Sequence, residues 1–326
     1  MHHRFSAALA VGALLAAAAI DAQTPAGTYT APRTPWGHPD LQGYWTNTTT
    51  TPLQRPAELK DKATLTGAEL AERDKLVAER ANQDAKPRPG NPGTYNDFWY
   101  ERGALNPRTS LVIDPPDGRV PALTDVAQRR AAEARQGRGP ADSPEDRSAF
   151  ERCISRGLPG AMLPGFYNHN YQIVQTRDYV VINVEMIHDA RIIPLATRSA
   201  APAPIRNWMG SSRGRWDGDT LVVETANFND KVREQSLIAF SSGENLRLTE
   251  RFRRTGPGSI DYEFTVDDPA FYTRAWTASV PMVRIDGPIF EYACHEGNYG
   301  MGGILRGARA EEQAVEGAAN RVRPLR

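Results

Sequence analysis

Between Tyr167 and Glu296 apolar residues recur at every second position, and turn-forming residues separate the runs. From Tyr179 the alternation lasts ten positions. On a pleated strand Val180, Ile182, Val184, Met186 and His188 share one face, and Tyr179, Val181, Asn183, Glu185 and Ile187 share the other. Both faces are largely apolar, which predicts a central strand covered on each side and keeps Asn183, Glu185 and His188 out of bulk water. Further on, Leu246, Leu248, Glu250 and Phe252 alternate with Arg247, Thr249, Arg251 and Arg253. Likewise Ile260, Tyr262, Phe264 and Val266 alternate with Asp261, Glu263 and Thr265. Each run predicts one face in a core and one in solvent, with opposite charges across the outer rows if the two strands pair. Asp217-Gly218 between two apolar runs predicts a tight hairpin, because the turn needs positive φ. Strands are also expected over Tyr272–Met282 and Ile289–Glu296. The second would place Phe290, Tyr292 and Cys294 on one face and Glu291, Ala293 and His295 on the other. Gly297 to Gly303 reads as a loop, without the spacing of a phosphate cradle.

The N-terminal third is different. Leu41–Thr46 suits a short strand, and Thr66-Gly67-Ala68-Glu69 has the capping-box spacing that starts a helix to about Ala81. Gln83–Gly93 is a Pro/Gly-rich connector. Thr109–Ile113 reads as a strand stopped by Asp114-Pro115-Pro116, and Thr124 caps a helix to about Gln136. Ser143-Pro144-Glu145-Asp146 starts a third helix, which would carry Phe150, Cys153 and Ile154 inward and stop at Gly157. These signals divide the chain into a helix-containing, irregular wrap over 35–166, an antiparallel β domain over 167–305, and a charged, Ala-rich tail over 306–326 that is surface-bound or disordered. The fold class is therefore mainly β: an antiparallel meander closed into a lipocalin-like barrel, or folded into a sandwich. Closure is the favoured form because it removes exposed edges and makes an interior; the N-terminal third then wraps the outside or plugs one end.

Composition adds an address. Met1–Arg4 is short and basic, and Phe5–Ile20 is an unbroken apolar run ahead of Asp21-Ala22-Gln23. This reads as a secretory signal cleaved after Ala22, with a flexible leader over 23–34. The run is shorter than the ~20 residues of a membrane span, so the mature protein is expected in the periplasm or secreted, with no membrane span. The 39 basic and 39 acidic residues balance, which argues against nucleic acid as a partner. Two cysteines, Cys153 and Cys294, in an oxidising compartment predict a disulfide. A metal site from Cys153, Cys294 and His295 has no supporting spacing, and neither a metal nor another cofactor is expected.

The segments PWGHPDLQGYW, YNHNYQIVQTRDYVVINVEMIHDARIIPL, GRWDGDTLVVETANFND and EYACHEGNYG together resemble an uncharacterised family of exported bacterial proteins. The resemblance spans nearly the whole mature chain. It implies secretion and one architecture, and it carries no catalytic residues.

Beyond the signal only His38, His169, His188 and His295 remain. His38, between Gly37 and Pro39, reads as a turn residue bonded to backbone. The first functional reading is an enzyme performing metal-free acid-base catalysis on a small, partly apolar molecule as a lyase, isomerase or hydrolase. His188 or His169 is then the base, Glu185 or Asp189 orients it, and Arg191 or Tyr167 stabilises an oxyanion. No G-x-S-x-G elbow supports a serine hydrolase. The second reading is a small-ligand carrier with a barrel pocket, and the third a carbohydrate-binding or surface module. Asn183, Trp99, Tyr100, Trp216, His295 and Glu296 are the candidate ligand contacts. Strand parity sets a condition: Glu185 and His188 point to opposite faces, so they reach one cavity only if the chain bends near Ile187. The oligomeric state is left open.

Overall fold

The computed structural model describes residues 29–80, 97–101, 103, 106–136, 141–195, 205–231 and 243–322. The expected signal over 1–22, the first half of the leader (23–28) and the 83–93 connector lie outside these residues. In chain order the elements are β1 (Gly43–Thr46), α1 (Gly67–Arg80), β2 (Val112–Asp114), α2 (Asp125–Gln136), β3 (Asn170–Gln175), β4 (Tyr179–Val184), β5 (Ala190–Pro194), β6 (Ser211–Asp217), β7 (Thr220–Ala226), β8 (Arg247–Gly256), β9 (Ser259–Asp267), β10 (Trp276–Arg284) and α3 (Tyr299–Val322).

The strands form one antiparallel sheet in the order β5-β4-β3-β1-β10-β9-β8-β7-β6, with β2 also paired to β10. The fold is the expected mainly-β one, nearly closed into a barrel. Its two edge strands meet at a single parallel bridge, Leu195 to Gly214. Gly214 permits that approach, since a Cβ there would lie 2.8 Å from Leu195 Cδ2. The meander from β6 to β10 contains the two hairpins the sequence announces. β6 and β7 join through Gly218 at φ +58, with Asp217 opposite Thr220. β8 and β9 join at Gly256-Pro257-Gly258, with Arg251 opposite Glu263 and Arg253 opposite Asp261 on the outer face.

The N-terminal third contributes more than a wrap. β1 is a stave between β3 and β10, and β2 takes the other half of β10's free edge. The inner face is filled by Trp45, Tyr171, Phe252, Tyr262, Phe264 and Trp276, all fully buried. Each such ring contributes ~1.5–3 kcal/mol of apolar burial. The interior is therefore a packed core.

Four elements differ from expectation. The long strand from Tyr179 stops at Val184. Ile187 and His188 take positive φ (64° and 45°) in a 3-10 turn, and the chain returns as β5. The apolar alternation ran on because the turn itself buries Met186 and Ile187. The helix expected from Ser143 is one 3-10 turn, Pro144–Asp146. Ser148 and Glu151 start a new cap at once, and the left-handed Cys153 stops continuation. Ile289–Glu296 is not a strand: Phe290 N–H and the Tyr292 carbonyl bond to side chains, and Cys294 is held by its disulfide. The glycine-rich stretch and the tail form α3, of which Ala308 is buried and Val315 exposed.

Candidate functional site

Strand register defines two ends. Thr46 pairs with Asn170, Tyr171 with Val184, and Asn183 with Ala190, so the end of β1, the start of β3, the end of β4 and the start of β5 surround one mouth. The opposite end is plugged by residues 33–42. There Gln175 Oε1 accepts from Leu41 N at 2.6 Å and its Nε2 donates to Pro39 O at 3.0 Å, while Arg254 donates to the carbonyls of Asp40, Gly256 and Pro257. Trp216, a candidate ligand contact, lies at this plugged end and stacks on His38 at 5.3 Å.

The mouth is covered by residues 141–168 and 285–298, which the Cys153–Cys294 disulfide joins with Cα atoms 5.6 Å apart. Glu185, directly after β4, is buried there. Its Oε1 accepts from Asn168 Nδ2 at 3.1 Å and Phe290 N at 3.2 Å, and its Oε2 from Asn170 Nδ2 at 2.6 Å. Three donors satisfy an ionised carboxylate without a cation. Glu101, on the solvent side, accepts from Asn168 N at 3.2 Å, so the two carboxylates share the Asn168 residue. Desolvation first, and then the charge of Glu185, raise the Glu101 carboxyl above its ordinary range.

The histidines of the mouth have fixed tautomers. His169 is buried, and its Nε2 stands 3.0 Å from Arg156 Nη1. A guanidinium only donates, so Nε2 accepts and the proton sits on Nδ1. Burial, and then the Arg156 charge, lower the His169 pKa to about 3, and the ring is neutral. Gly165 makes room for it: a Cβ there would be 1.9 Å from Nε2. His188 is exposed, and its Nδ1–H donates to the Tyr292 carbonyl at 2.8 Å. The neutral ring therefore presents Nε2 as a lone-pair acceptor. Beside it Asp189 accepts from Ser155 Oγ at 2.9 Å, and desolvation raises its carboxyl despite the nearby His188.

Arg191 does not reach the mouth chemistry. It lies on the inner face of β5, where Nη1 and Nη2 donate to the two oxygens of Glu250 at 2.9 and 2.5 Å, and Tyr262 Oη donates to the same carboxylate at 2.9 Å. Both side chains are essentially inaccessible (2% and 0%). Burial lowers the Arg191 pKa, but the charge and hydrogen bonds of Glu250, with Tyr262 and Tyr171, together more than offset it and raise it on balance.

The covering segments bring an aromatic run to the mouth. Tyr100 stacks on Phe166 at 4.8 Å, Phe166 meets Tyr167 edge-on at 4.7 Å, and Tyr167 faces Tyr292 at 6.4 Å. Trp99 is exposed and meets Phe98 edge-on, and it is not brought into this run. Asn183 stays on the sheet's outer row, and His295 and Glu296 are exposed on the turn before α3.

Of the expected residues, the mouth thus gathers His169, His188, Glu185, Asp189, Tyr167 and Tyr100, and separates Arg191, Trp216 and Asn183 from them. Sequence reading missed Arg156, Glu101, Asn168, Asn170 and Tyr292. Only Asn168 carried a hint: it tolerates the left-handed backbone (φ 54) that aims its amide at Glu185. Among the described residues no group of three or more His, Cys, Asp or Glu has metal-holding geometry, and no helix is long and apolar enough to cross a membrane. Comparison with protein-family models and with curated proteins gives no match.

Proposed function

We propose that the chain is an exported enzyme that moves protons on a small, partly apolar molecule held at the barrel mouth, with His188 as general base. The observation that carries this reading is the anchored ring of His188. A carbonyl fixes Nδ1–H and leaves Nε2 free to accept, at the edge of an aromatic run. The ring is aimed by a turn whose Ile187 and His188 occupy left-handed backbone, a strain that collects where a side chain has to be positioned. Glu185 builds the site and does not react, because its oxygens already hold three donors. When Nε2 takes a proton, the imidazolium is countered by Asp189. Tyr167 and Arg156, not Arg191, are placed to meet negative charge that develops on the substrate. Export is supported by the apolar N-terminus and by a disulfide, which persists in oxidising compartments.

Binding without turnover is the second reading, and the aromatic run Tyr100, Phe166, Tyr167 and Tyr292 favours it. The two are separated by incubating purified, disulfide-intact protein and its His188→Gln variant with a periplasmic small-molecule extract and following both by mass spectrometry. A compound consumed by the wild type and spared by His188→Gln supports catalysis. A compound enriched on both proteins and consumed by neither supports binding alone.

A further inference from the structure

Arg156 is a cation of the mouth to which no described carboxylate is paired. Most of its side chain is buried, and burial lowers its pKa; the groups that act electrostatically to hold its proton are the hydroxyls of Tyr171, Tyr167 and Tyr292. Nη1 donates to neutral His169 at 3.0 Å, and the Phe150 ring lies 5.2 Å from the guanidinium carbon. No described carboxylate pairs with it. Each neighbouring acid is engaged elsewhere: Glu151 with Arg147 and Ser148, Asp189 with Ser155, and Glu185 and Glu101 with Asn168 and Asn170. Nε and Nη2 have no hydrogen bond to a described residue and are not fully enclosed, so both donors of the fork keep access to solvent.

A half-desolvated cation beside three phenols is costly unless an anion completes it. The guanidinium carries one charge and the carboxylates of Glu185, Glu101 and Asp189 line the same mouth, which favours a monovalent anion over a doubly charged phosphate. Two open donors of one guanidinium match the two oxygens of a carboxylate. Tyr167, which flanks Arg156, also heads the aromatic run to Phe166 and Tyr100, so a ligand anchored on the guanidinium would lay its body along ring faces. We infer that the mouth takes an aromatic monocarboxylate, its carboxylate on Arg156 and its ring system against Tyr167 and Phe166. This rests on the reading of the mouth as the working site and names the class of molecule it takes.

The test is calorimetric titration of the full mature chain, disulfide intact, with benzoate and 2-naphthoate, and with benzamide and inorganic phosphate as contrasts. Saturable binding of the carboxylates is expected. Benzamide should bind at least about tenfold more weakly, because a charged hydrogen-bonded pair contributes ~1.5–3 kcal/mol. Arg156→Met should cost the carboxylates a similar factor. Should that variant fold poorly, Phe166→Ala at an exposed position serves instead, and it should weaken 2-naphthoate more than benzoate. Benzamide binding as tightly as benzoate, phosphate displacing benzoate at equal concentration, no saturation with either carboxylate, or affinity indifferent to both Arg156→Met and Phe166→Ala would each overturn the inference. Turnover is judged separately. Benzoate binding with no consumption of any compound leaves this inference standing and sinks the proton-transfer reading, whereas consumption of a neutral compound with no carboxylate binding does the reverse.

Discussion

Two arginines of this barrel, one inside it and one at its mouth, are treated in opposite ways. In the interior Arg191 is closed off with Glu250, both guanidinium nitrogens on both carboxylate oxygens, and Tyr262 donates to the same group. At the mouth Arg156 is desolvated beside tyrosines and a neutral histidine, with no acid paired to it among the described residues. The interior pair is electrically complete, and so it acts as structure. The mouth arginine has no such partner among the described residues, and the proposed carboxylate ligand would supply it. The backbone follows the same division. Five non-glycine residues among those described have positive φ, and four of them, Cys153, Asn168, Ile187 and His188, lie in the segments that build the mouth. Strain persists where the surrounding structure holds a residue for a purpose other than stability.

The comparison breaks most visibly if the interior pair is split. Glu250→Gln leaves the buried Arg191 charge uncompensated and should destabilise the fold by about 3–5 kcal/mol in urea unfolding. Replacing both partners with apolar residues, Arg191→Met with Glu250→Leu, should recover most of that loss, because the cost lies in the orphaned charge and not in the missing bond. A loss under ~1 kcal/mol for Glu250→Gln would mean that water reaches the pair.

Next in size is the tether of the mouth. The Cys153–Cys294 bond spans 141 residues, for which loop-closure entropy gives roughly 5 kcal/mol. Cys153→Ser with Cys294→Ser should lose ~2–5 kcal/mol. Amide exchange should accelerate first at Phe290, whose N–H reaches Glu185 through the covering segment, while β8 and β9 stay protected. Uniform loss of protection through the sheet would show that the disulfide supports the barrel as a whole.

These two tests concern features of unequal visibility in the sequence. The barrel was legible because its strands alternate cleanly and its turns carry Asp217-Gly218 and Gly256-Pro257-Gly258; the disulfide followed from a pair of cysteines in a chain expected to be exported. The interior ion pair left a trace that was not followed. Glu250 lies in the row of Leu248 and Phe252, and Arg191 in the row of Ile193 and Leu195, and a charge in an apolar row has to find a partner inside. Two runs misled. Residues 186–188 kept the strand rhythm because a turn can bury apolar residues as a strand does, and Phe290, Tyr292 and Cys294 alternate because they dock on the mouth. Arg156 could not be read at all. It is one arginine in a loop, and what distinguishes it is the set of acids that do not face it, a property that exists only in three dimensions.

Acidity sharpens the comparison through His169. In the unfolded chain this ring takes a proton below about 6.5; in the folded mouth it resists until about 3. Between those values the unfolded state holds more protons, so stability is complete above about pH 6.5 and falls as the pH drops toward 3, by up to ~1.4 kcal/mol per pH unit. Glu101 and Asp189 have raised carboxyls and pull the other way, so the measurement is a difference. His169→Gln should keep an acceptor for Arg156 and flatten the wild-type slope in this window. An identical slope in both proteins would place the titrating group elsewhere.

The smallest expected effect is the one that decides between structure and receptivity. Arg156→Met removes a desolvated cation that pairs with no described acid, and gives up the guanidinium's contact with the Phe150 ring and one hydrogen bond to His169. The lost bond costs about 1 kcal/mol, while relief of the unpaired charge offsets it. The net change in stability should therefore lie within ~1 kcal/mol of zero, of either sign, against a loss of about 3–5 kcal/mol for Arg191→Met, which orphans Glu250. Charge removal should also free His169 from the second influence that depresses it, so its pKa, followed by NMR of the ring protons, should rise from about 3 and stay below 6.5 because burial remains the larger cause. If Arg156→Met were as damaging as Arg191→Met, the mouth arginine would be a structural member like its counterpart, and the difference between the two ends of the argument would vanish with it.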